Sequence, residues 1–178
     1  MAIAREHPPS FEPGAGFHYS NTNDVILGLV IERVTGHRLE RELKRRVFRG
    51  LPDTAYDESP RVRRLAPGPR QNTSWAGAAG AIVSTARDLD RFYRRIVSAP
   101  EYAAMKTLDP VAGPYGLGLF KVRASCGEFW GHDGAVPGHL THAYTDGRRS
   151  VVVLATRAPL SEDQTAAVNR ELDEALCG

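Results

Sequence analysis

Hydrophobic periodicity changes once along this 178-residue chain, near residue 115, and that change limits the fold more than any other feature. Before it, apolar residues recur at helical spacing. Ile26, Val30 and Val34, flanked by Leu27 and Ile31, predict a helix over about 24–35 with this stripe facing a core. Ser20-Asn21-Thr22-Asn23-Asp24 offers candidate N-caps, and Gly36 is the stop. Leu39, Leu43 and Val47 predict a second helix over about 38–49, stopped by Gly50, with Glu40–Lys44 and Glu42–Arg46 pairs on its wet face. Thr85 and Asp88 form a capping box ahead of Leu89, Phe92, Tyr93, Ile96 and Val97, which predicts a helix over about 86–98 and a short one near 101–108. After the change, 115–123, 128–131, 140–145 and 150–156 read as strands, with Asp146-Gly147 as a hairpin turn. A helix over about 162–176 closes the chain. Helices, then a strand meander, then one helix predict an α+β fold with an antiparallel sheet. The single domain 1–178 divides into a mostly helical part, about 1–110, and a part of strands plus one helix, about 111–178.

Composition removes several function classes. Hydrophobic residues at 42% and charged residues at 25% exclude general disorder. Lys plus Arg number 23 and Asp plus Glu 21, a net charge of +2, so no field exists for gripping phosphates and no nucleic-acid partner is expected. The arginine clumps at Arg45, Arg46, Arg49 and at Arg61, Arg63, Arg64, Arg70 read as a solvated helix end and a solvated loop. The Pro- and Arg-rich stretch 51–72 is expected to be that exposed loop, and the Gly/Ala run 75–80 allows close backbone approach. No apolar run reaches the roughly 20 residues of a membrane span, and 25–34 is broken by Gly28 and Glu32. The first residues lack the apolar core of a signal peptide. His132, His139 and His142 lie close together, but their segment reads as strands and no Cys/His cluster has zinc spacing, so no metal is expected.

Two short motifs carry the chemistry. Tyr19-Ser20-Asn21 joins the Gly/Pro-rich loop 10–19 to a helix start, and His132-Asp133-Gly134 stands at the rim of a strand. Each alone occurs by chance; their surroundings are more specific. Phe11-Glu-Pro-Gly-Ala-Gly-Phe-His-Tyr-Ser-Asn-Thr-Asn23, then a helix ending Ile31-Glu-Arg-Val-Thr-Gly36, resembles the serine β-lactamase and penicillin-binding-protein superfamily. Gly77-Ala-Ala-Gly80, Ser84-Thr-Ala-Arg-Asp-Leu89, Tyr115-Gly-Leu-Gly-Leu119 and Gly131-His-Asp-Gly-Ala-Val-Pro-Gly138 extend the likeness over nearly the whole chain. It is most similar to the class C β-lactamase and D-alanyl-D-alanine carboxypeptidase branch. Ser125-Cys126-Gly127 and Leu176-Cys177-Gly178 look like a secreted actinobacterial carboxypeptidase.

The resemblance implies a β-lactamase/transpeptidase-like fold, an antiparallel sheet with flanking helices, and hydrolysis of peptidoglycan-type peptides, β-lactams or esters through an acyl-serine, with no organic cofactor. Tyr19 would relay the nucleophile's proton, which requires cations that favour its phenolate, with His132 as one of them. Tyr19 and His132 would then converge on one cleft. Asn21 would hold the substrate amide. The strand carrying His132, Asp133, Gly134 and Ala135 would pair with the substrate backbone, the Ala135 N–H serving as an oxyanion donor. Trp75 matches a position near the substrate cleft or a core tryptophan. Plainer readings remain open: a half-buried Tyr19, a helix-capping Asn21, a structural His132, and Tyr115, Leu117 and Leu119 as core. A Cys126–Cys177 disulfide and an extracellular setting follow from the same resemblance.

Three departures stand out. The superfamily's Ser-x-x-Lys is missing, since none of the nine serines has lysine three residues on. The chain therefore reads as the C-terminal portion of a longer enzyme, inactive alone, or as an inactive peptide-binding module or truncated fragment. A partner covering the face left by the missing N-terminal part is expected. Asp133 replaces a family hydroxyl that helps hold a substrate carboxylate. Phe120 stands where some relatives carry a carboxylate-binding arginine, and Lys121 and Arg123 lie on the opposite strand face. The last two departures leave room for amidase or esterase action on neutral or cationic substrates.

Overall fold

A computed structural model describes residues 6–57, 63–64, 70–71, 75–157 and 160–178. The chain forms two compact units: Met1–Arg63 with Gln71–Ser84, and Arg64–Arg70 with Thr85–Gly178. Half of the expected exposed loop over 51–72 lies outside the described residues. What is described of it begins with buried Leu51 and Tyr56, so its start belongs to a core.

In the first unit, α1 spans Asn21–Thr35, three residues earlier than the apolar pattern predicts. Ser20 is the cap, its Oγ accepting the Thr22 N–H at 3.2 Å, and Gly36 closes the helix in the left-handed region at φ +66°. The expected core-facing stripe is not buried: Ile26, Leu27, Val30, Ile31 and Val34 are exposed, Val34 by 79%. Gly28 is the buried position instead, where a Cβ would come within 2.7 Å of Ala78 Cβ in the short 3₁₀ turn Gly77–Ala79. Helix α2 covers only Leu39–Arg46, because the chain leaves helical geometry before Phe48 and Leu51 turn inward. Leu39, Phe48, Tyr56, Ala76 and Ala81 form this unit's core, with Leu43 and Val47 against it. Strand β1, Ala55–Tyr56, pairs antiparallel with β4, Ile82–Val83. The intervening β2, Arg63–Arg64, and β3, Arg70–Gln71, pair with each other.

Glu42 corrects the expectation of a wet-face ion pair. Its side chain is only 3% exposed, yet it takes Arg45 at 2.8 Å, Arg46 at 2.7 Å and His37 Nδ1 at 2.9 Å. The hydrogen bonds from Arg45 and Arg46, then that from His37, outweigh desolvation and hold its carboxyl down to about 2. The Glu40–Lys44 pair, by contrast, is where the spacing puts it.

In the second unit, α3 spans Ala86–Ile96, capped by Thr85, whose Oγ1 accepts from the Asp88 N–H. A short α4 covers Tyr102–Met105. Strands β5 (Phe120–Ala124), β6 (Gly127–Val136), β7 (His139–Thr145) and β8 (Ser150–Ala155) form an antiparallel meander in that order. Helix α5, Glu162–Cys177, has a Ser161/Gln164 capping box. Tyr93, Tyr102, Leu119 and Ala143 join α3 and α4 to one sheet face. Phe129, which is fully buried, packs with Tyr144, Leu172 and Leu176 against α5 on the other. Burying one such side chain is worth about 1.5–3 kcal/mol. The α+β reading with its antiparallel sheet is thus borne out, and Cys126 and Cys177 are joined in a disulfide with Cα atoms 5.5 Å apart.

Candidate active site

Strand β6 is longer than its sequence predicts, and this positions the His-x-Gly motif. Its neighbour β5 begins only at Phe120, opposite Gly131, whereas β7 accompanies β6 from Trp130 to Val136. His132-Asp133-Gly134 therefore lies inside the strand, past the end of β5, and not at its rim. Among the described residues no strand pairs with Asp133–Val136 on the side that β5 vacates.

The ladder also fixes which backbone groups face that side. The Lys121 N–H donates to the Pro114 carbonyl at 2.8 Å, away from β6. Antiparallel ladders alternate, so Phe120 and Gly131 are the pair that exchanges bonds. Two and four residues on, Asp133 and Ala135 turn their N–H and C=O groups to the same side. Asp133, Gly134 and Ala135 are all exposed there. This edge can add an extended ligand as a strand and offer the Ala135 N–H to a developing oxyanion.

His132 is half-buried at the head of this edge. Its Nδ1 lies 2.5 Å from the Asp133 carbonyl and its Nε2 3.3 Å from the Tyr115 hydroxyl. Burial, then the Asp133 charge, pushes the neighbouring Tyr93 hydroxyl well above its ordinary value, opposed by the His132 backbone N–H.

The Asp133 carboxylate leans toward β7. Its Oδ1 accepts from His142 Nδ1 at 2.6 Å and from the Tyr144 hydroxyl at 2.5 Å. Desolvation opposes its ionisation, but those two hydrogen bonds, with the His142 and His132 imidazoles, hold its carboxyl below the ordinary value. Burial, then the bond to Asp133, pushes the Tyr144 hydroxyl well up. Gly131 makes the group possible: a Cβ there would fall 1.8 Å from the Ala143 carbonyl oxygen and 2.6 Å from the Tyr144 ring. Behind the group, toward α5, opens a cavity of about 450 Å³ walled by Val122, Leu172 and Leu176. Lys121 and Arg123 both pair with Glu128, on the face opposite Phe120. His132 and His142 are thus engaged by tyrosines and a carboxylate, and among the described residues no His/Cys/Asp/Glu group could hold a metal.

The first unit carries the other motif. Gly14, at φ +80°, and Gly16, packed under the Phe11 ring, shape the loop before Tyr19. Tyr19 is 40% exposed and directly precedes the α1 cap. Burial of part of its ring, then the nearby Asp24, raises its hydroxyl pKa, so these neighbours disfavour the phenolate. Asn21 is the first residue of α1, the capping role being taken by Ser20. Trp75 is 58% exposed and is no core tryptophan. Tyr19, Asn21 and Trp75 thus lie in one unit, and His132, Asp133, Gly134 and Ala135 in the other. Tyr115, Tyr144 and His142 were not legible as site neighbours.

An antiparallel sheet with helices on both faces, and a His-x-Gly strand left open along one edge, defines a β-lactamase-like fold. The Beta-lactamase family model matches residues 1–175, and the chain belongs to that family, within the serine β-lactamase/penicillin-binding-protein superfamily. Among solved structures, it is similar to a D-stereospecific amidohydrolase from Streptomyces sp., with 31% identity and a TM-score of 0.84 over 99% of this chain and 59% of that one. It is also similar to the D-amino acid amidase of Ochrobactrum anthropi SV3 in complex with D-phenylalanine, with 27% identity and a TM-score of 0.79 over 97% of this chain and 65% of that one. The D-aminopeptidase of Brucella anthropi is 32% identical over 155 residues, which are 72% of this chain and 29% of that protein. This chain thus spans less than two thirds of each relative. It is a Beta-lactamase-family chain related to D-aminopeptidase and D-amino acid amidase.

Proposed function

We propose that this chain supplies the substrate-binding edge of a serine amide hydrolase that acts on D-amino-acid amides or peptides beginning with a D-residue. The observation that carries this is the open edge of β6 at Asp133–Val136, with the Ala135 N–H turned toward it. The kinship to D-aminopeptidase and D-amino acid amidase supports this substrate class over D-alanyl-D-alanine peptides. So does the engagement of Lys121 and Arg123 with Glu128, on the strand face opposite Phe120.

In this reading the nucleophile and its lysine come from a Ser-x-x-Lys segment outside the 178 residues, which hold no such motif. The serine oxygen attacks the amide carbon, and its proton passes through Tyr19 to the departing nitrogen. Water then hydrolyses the acyl-serine. The incoming lysine offsets the neighbours that raise the Tyr19 pKa. Asn21 holds the substrate amide, Ala135 receives the oxyanion, and Gly134 keeps the strand surface low for the acyl group. Trp75 borders the substrate. The apolar face of α1 is the seat of the Ser-x-x-Lys part, a reading supported by the exposure of Ile26, Leu27, Val30 and Val34 and by the extra length of the relatives. The disulfide fits an extracellular setting.

The test is an NMR titration of the chain with D-phenylalaninamide. Shifts centred on the amides of Asp133, Gly134, Ala135 and Val136, and reaching Asn21 and Trp75, are expected, and unmoved resonances along Asp133–Val136 at millimolar ligand would overturn the reading. In parallel, a fluorescent penicillin should label no serine of the isolated chain; labelling at Ser20 or any other would mean a different nucleophile. A second reading, an inactive peptide-binding module, is favoured by the missing Ser-x-x-Lys. Adding the Ser-x-x-Lys part of a relative separates the two, because only the hydrolase reading expects amide turnover to appear.

A further inference from the structure

We propose that Tyr115 is the positioning residue for His132, holding its imidazole as one tautomer in one orientation. This rests on the reading that His132 serves at the acyl-transfer edge. His132 Nδ1 lies 2.5 Å from the Asp133 carbonyl oxygen. A carbonyl only accepts, so Nδ1 bears a proton. In the neutral ring Nε2 is then the acceptor, and the Tyr115 hydroxyl at 3.3 Å is its donor. When a proton arrives at Nε2, the same hydroxyl rotates and accepts from it. Both charge states are held by the same heavy atoms, so the ring need not turn.

Ring packing supports the assignment independently of that bond. Tyr115 meets Phe120 edge-on at 4.5 Å between centroids, Phe120 meets His132 at 5.0 Å, and Tyr115 meets His132 edge-on at 5.8 Å. The three rings form a closed cluster that leaves His132 one orientation. The backbone is built to deliver it. A bridge pairs Tyr115 with Phe120, so the chain doubles back just before β5. Gly118 sits at φ +77° in that reversal, and a Cβ on Gly116 would come within 2.2 Å of the Met105 carbonyl oxygen. The Tyr115-Gly-Leu-Gly run thus brings a phenol to the His132 imidazole, and does more than fill a core.

The experiment uses the 178-residue chain, uniformly ¹⁵N-labelled, and two-bond ¹H–¹⁵N correlation of the imidazoles at a pH where His132 is neutral. The wild type should show Nδ1 protonated and Nε2 hydrogen-bonded. Tyr115→Phe keeps the ring cluster and should move the Nε2 resonance downfield, toward an unbonded nitrogen, with Nδ1 still protonated. Tyr102→Phe, which removes a hydroxyl from the α3–α4 cluster, should leave His132 unmoved. A wild-type His132 protonated on Nε2, or an Nε2 signal already at the unbonded position, overturns the proposal whether or not the variants fold. An Nε2 signal unchanged by Tyr115→Phe, or moved equally by Tyr102→Phe, overturns it as well. The readout is the ring nitrogens and not turnover. Failure of D-phenylalaninamide to bind therefore sinks the functional reading alone, and a wrong tautomer sinks this one alone.

Discussion

Removing the Cys126–Cys177 bond should destabilise the second unit by about 4 kcal/mol. The cysteines are separated by 51 positions. In the chain-entropy model, closing a loop of that length removes about 14 cal/mol/K from the unfolded ensemble, or about 4 kcal/mol at 25 °C. For a chain of this size, that lowers Tm by about 8–16 °C. The perturbation is Cys126→Ser with Cys177→Ser. It leaves a second tie between the same elements, because Ser125 donates through its N–H and its hydroxyl to the Asp173 carboxylate at 2.7 Å each. Helix α5 should therefore stay docked in the folded variant, with its exchange protection kept, while the unfolded chain expands. The assay is urea unfolding followed by circular dichroism. The midpoint should fall and the m-value should rise, since more surface is exposed on unfolding. A loss under about 1 kcal/mol with an unchanged m-value would refute the reasoning, and would mean that the unfolded chain is compact without the bond.

The other predictions concern charge and packing. Glu42 has a folded pKa of about 2 against an ordinary 4.5, so its stabilisation is full above 4.5 and lost as pH falls toward 2. Glu42→Gln should flatten the acid limb of a urea-midpoint profile over that window, and an unchanged limb would contradict the assignment of this stabilisation to the Arg45, Arg46 and His37 pairs. Asp133 is also held below its ordinary value, so Asp133→Asn should weaken the second unit at neutral pH, with the two curves converging below about pH 4. Parallel curves at all pH values would show that the His142 and Tyr144 bonds do not depend on the charge. Gly131→Ala places a Cβ 1.8 Å from a carbonyl oxygen and should cost about 3 kcal/mol or more, read as a lower melting midpoint. A neutral result would mean that the strand pair can shift apart.

The strand segment and its closing helix were legible because their signals are local. Asp146-Gly147 turns the β7–β8 hairpin, with Asp146 Oδ1 accepting the Arg148 and Arg149 N–H groups. The α1 stripe misled because periodicity announces a helix and says nothing of what lies against it; here Gly28 makes the contact and the stripe faces out. The far half of β6 was missed because Gly-His-Asp-Gly lacks strand propensity. Pairing with β7 imposes that strand. One signal was available and unused. Pro137-Gly138, with Gly138 at φ +84°, makes a two-residue turn joining Val136 to His139. Counting three residues back and three on from that pair puts Asp133 opposite His142, and Tyr144 follows on the same face. Tyr115 offered a weaker handle: Gly116 and Gly118 mark the chain reversal, but neither composition nor period says that it brings Tyr115 to His132.

The charge at Asp133 bears on which ligands the β6 edge will take. Its carboxylate is ionised and still 44% exposed, although Oδ1 leans toward β7. Lys121 and Arg123 are engaged with Glu128, and Phe120 brings no charge. A carboxylate bound along Asp133–Val136 therefore meets a like charge. At about 6 Å and an effective dielectric of about 40, which allows for that exposure, the repulsion is about 1.4 kcal/mol, or tenfold in affinity. D-Phenylalaninamide should bind the chain about ten times more tightly than D-phenylalanine at pH 7 and low salt, and the ratio should shrink as salt screens the pair. Chemical-shift titration of the Ala135 amide measures both constants in one protein. Asp133→Asn should erase the preference while leaving amide binding in place. Equal affinities in the wild type, or a preference that survives Asp133→Asn, would show that this carboxylate faces β7 alone and takes no part in choosing the ligand.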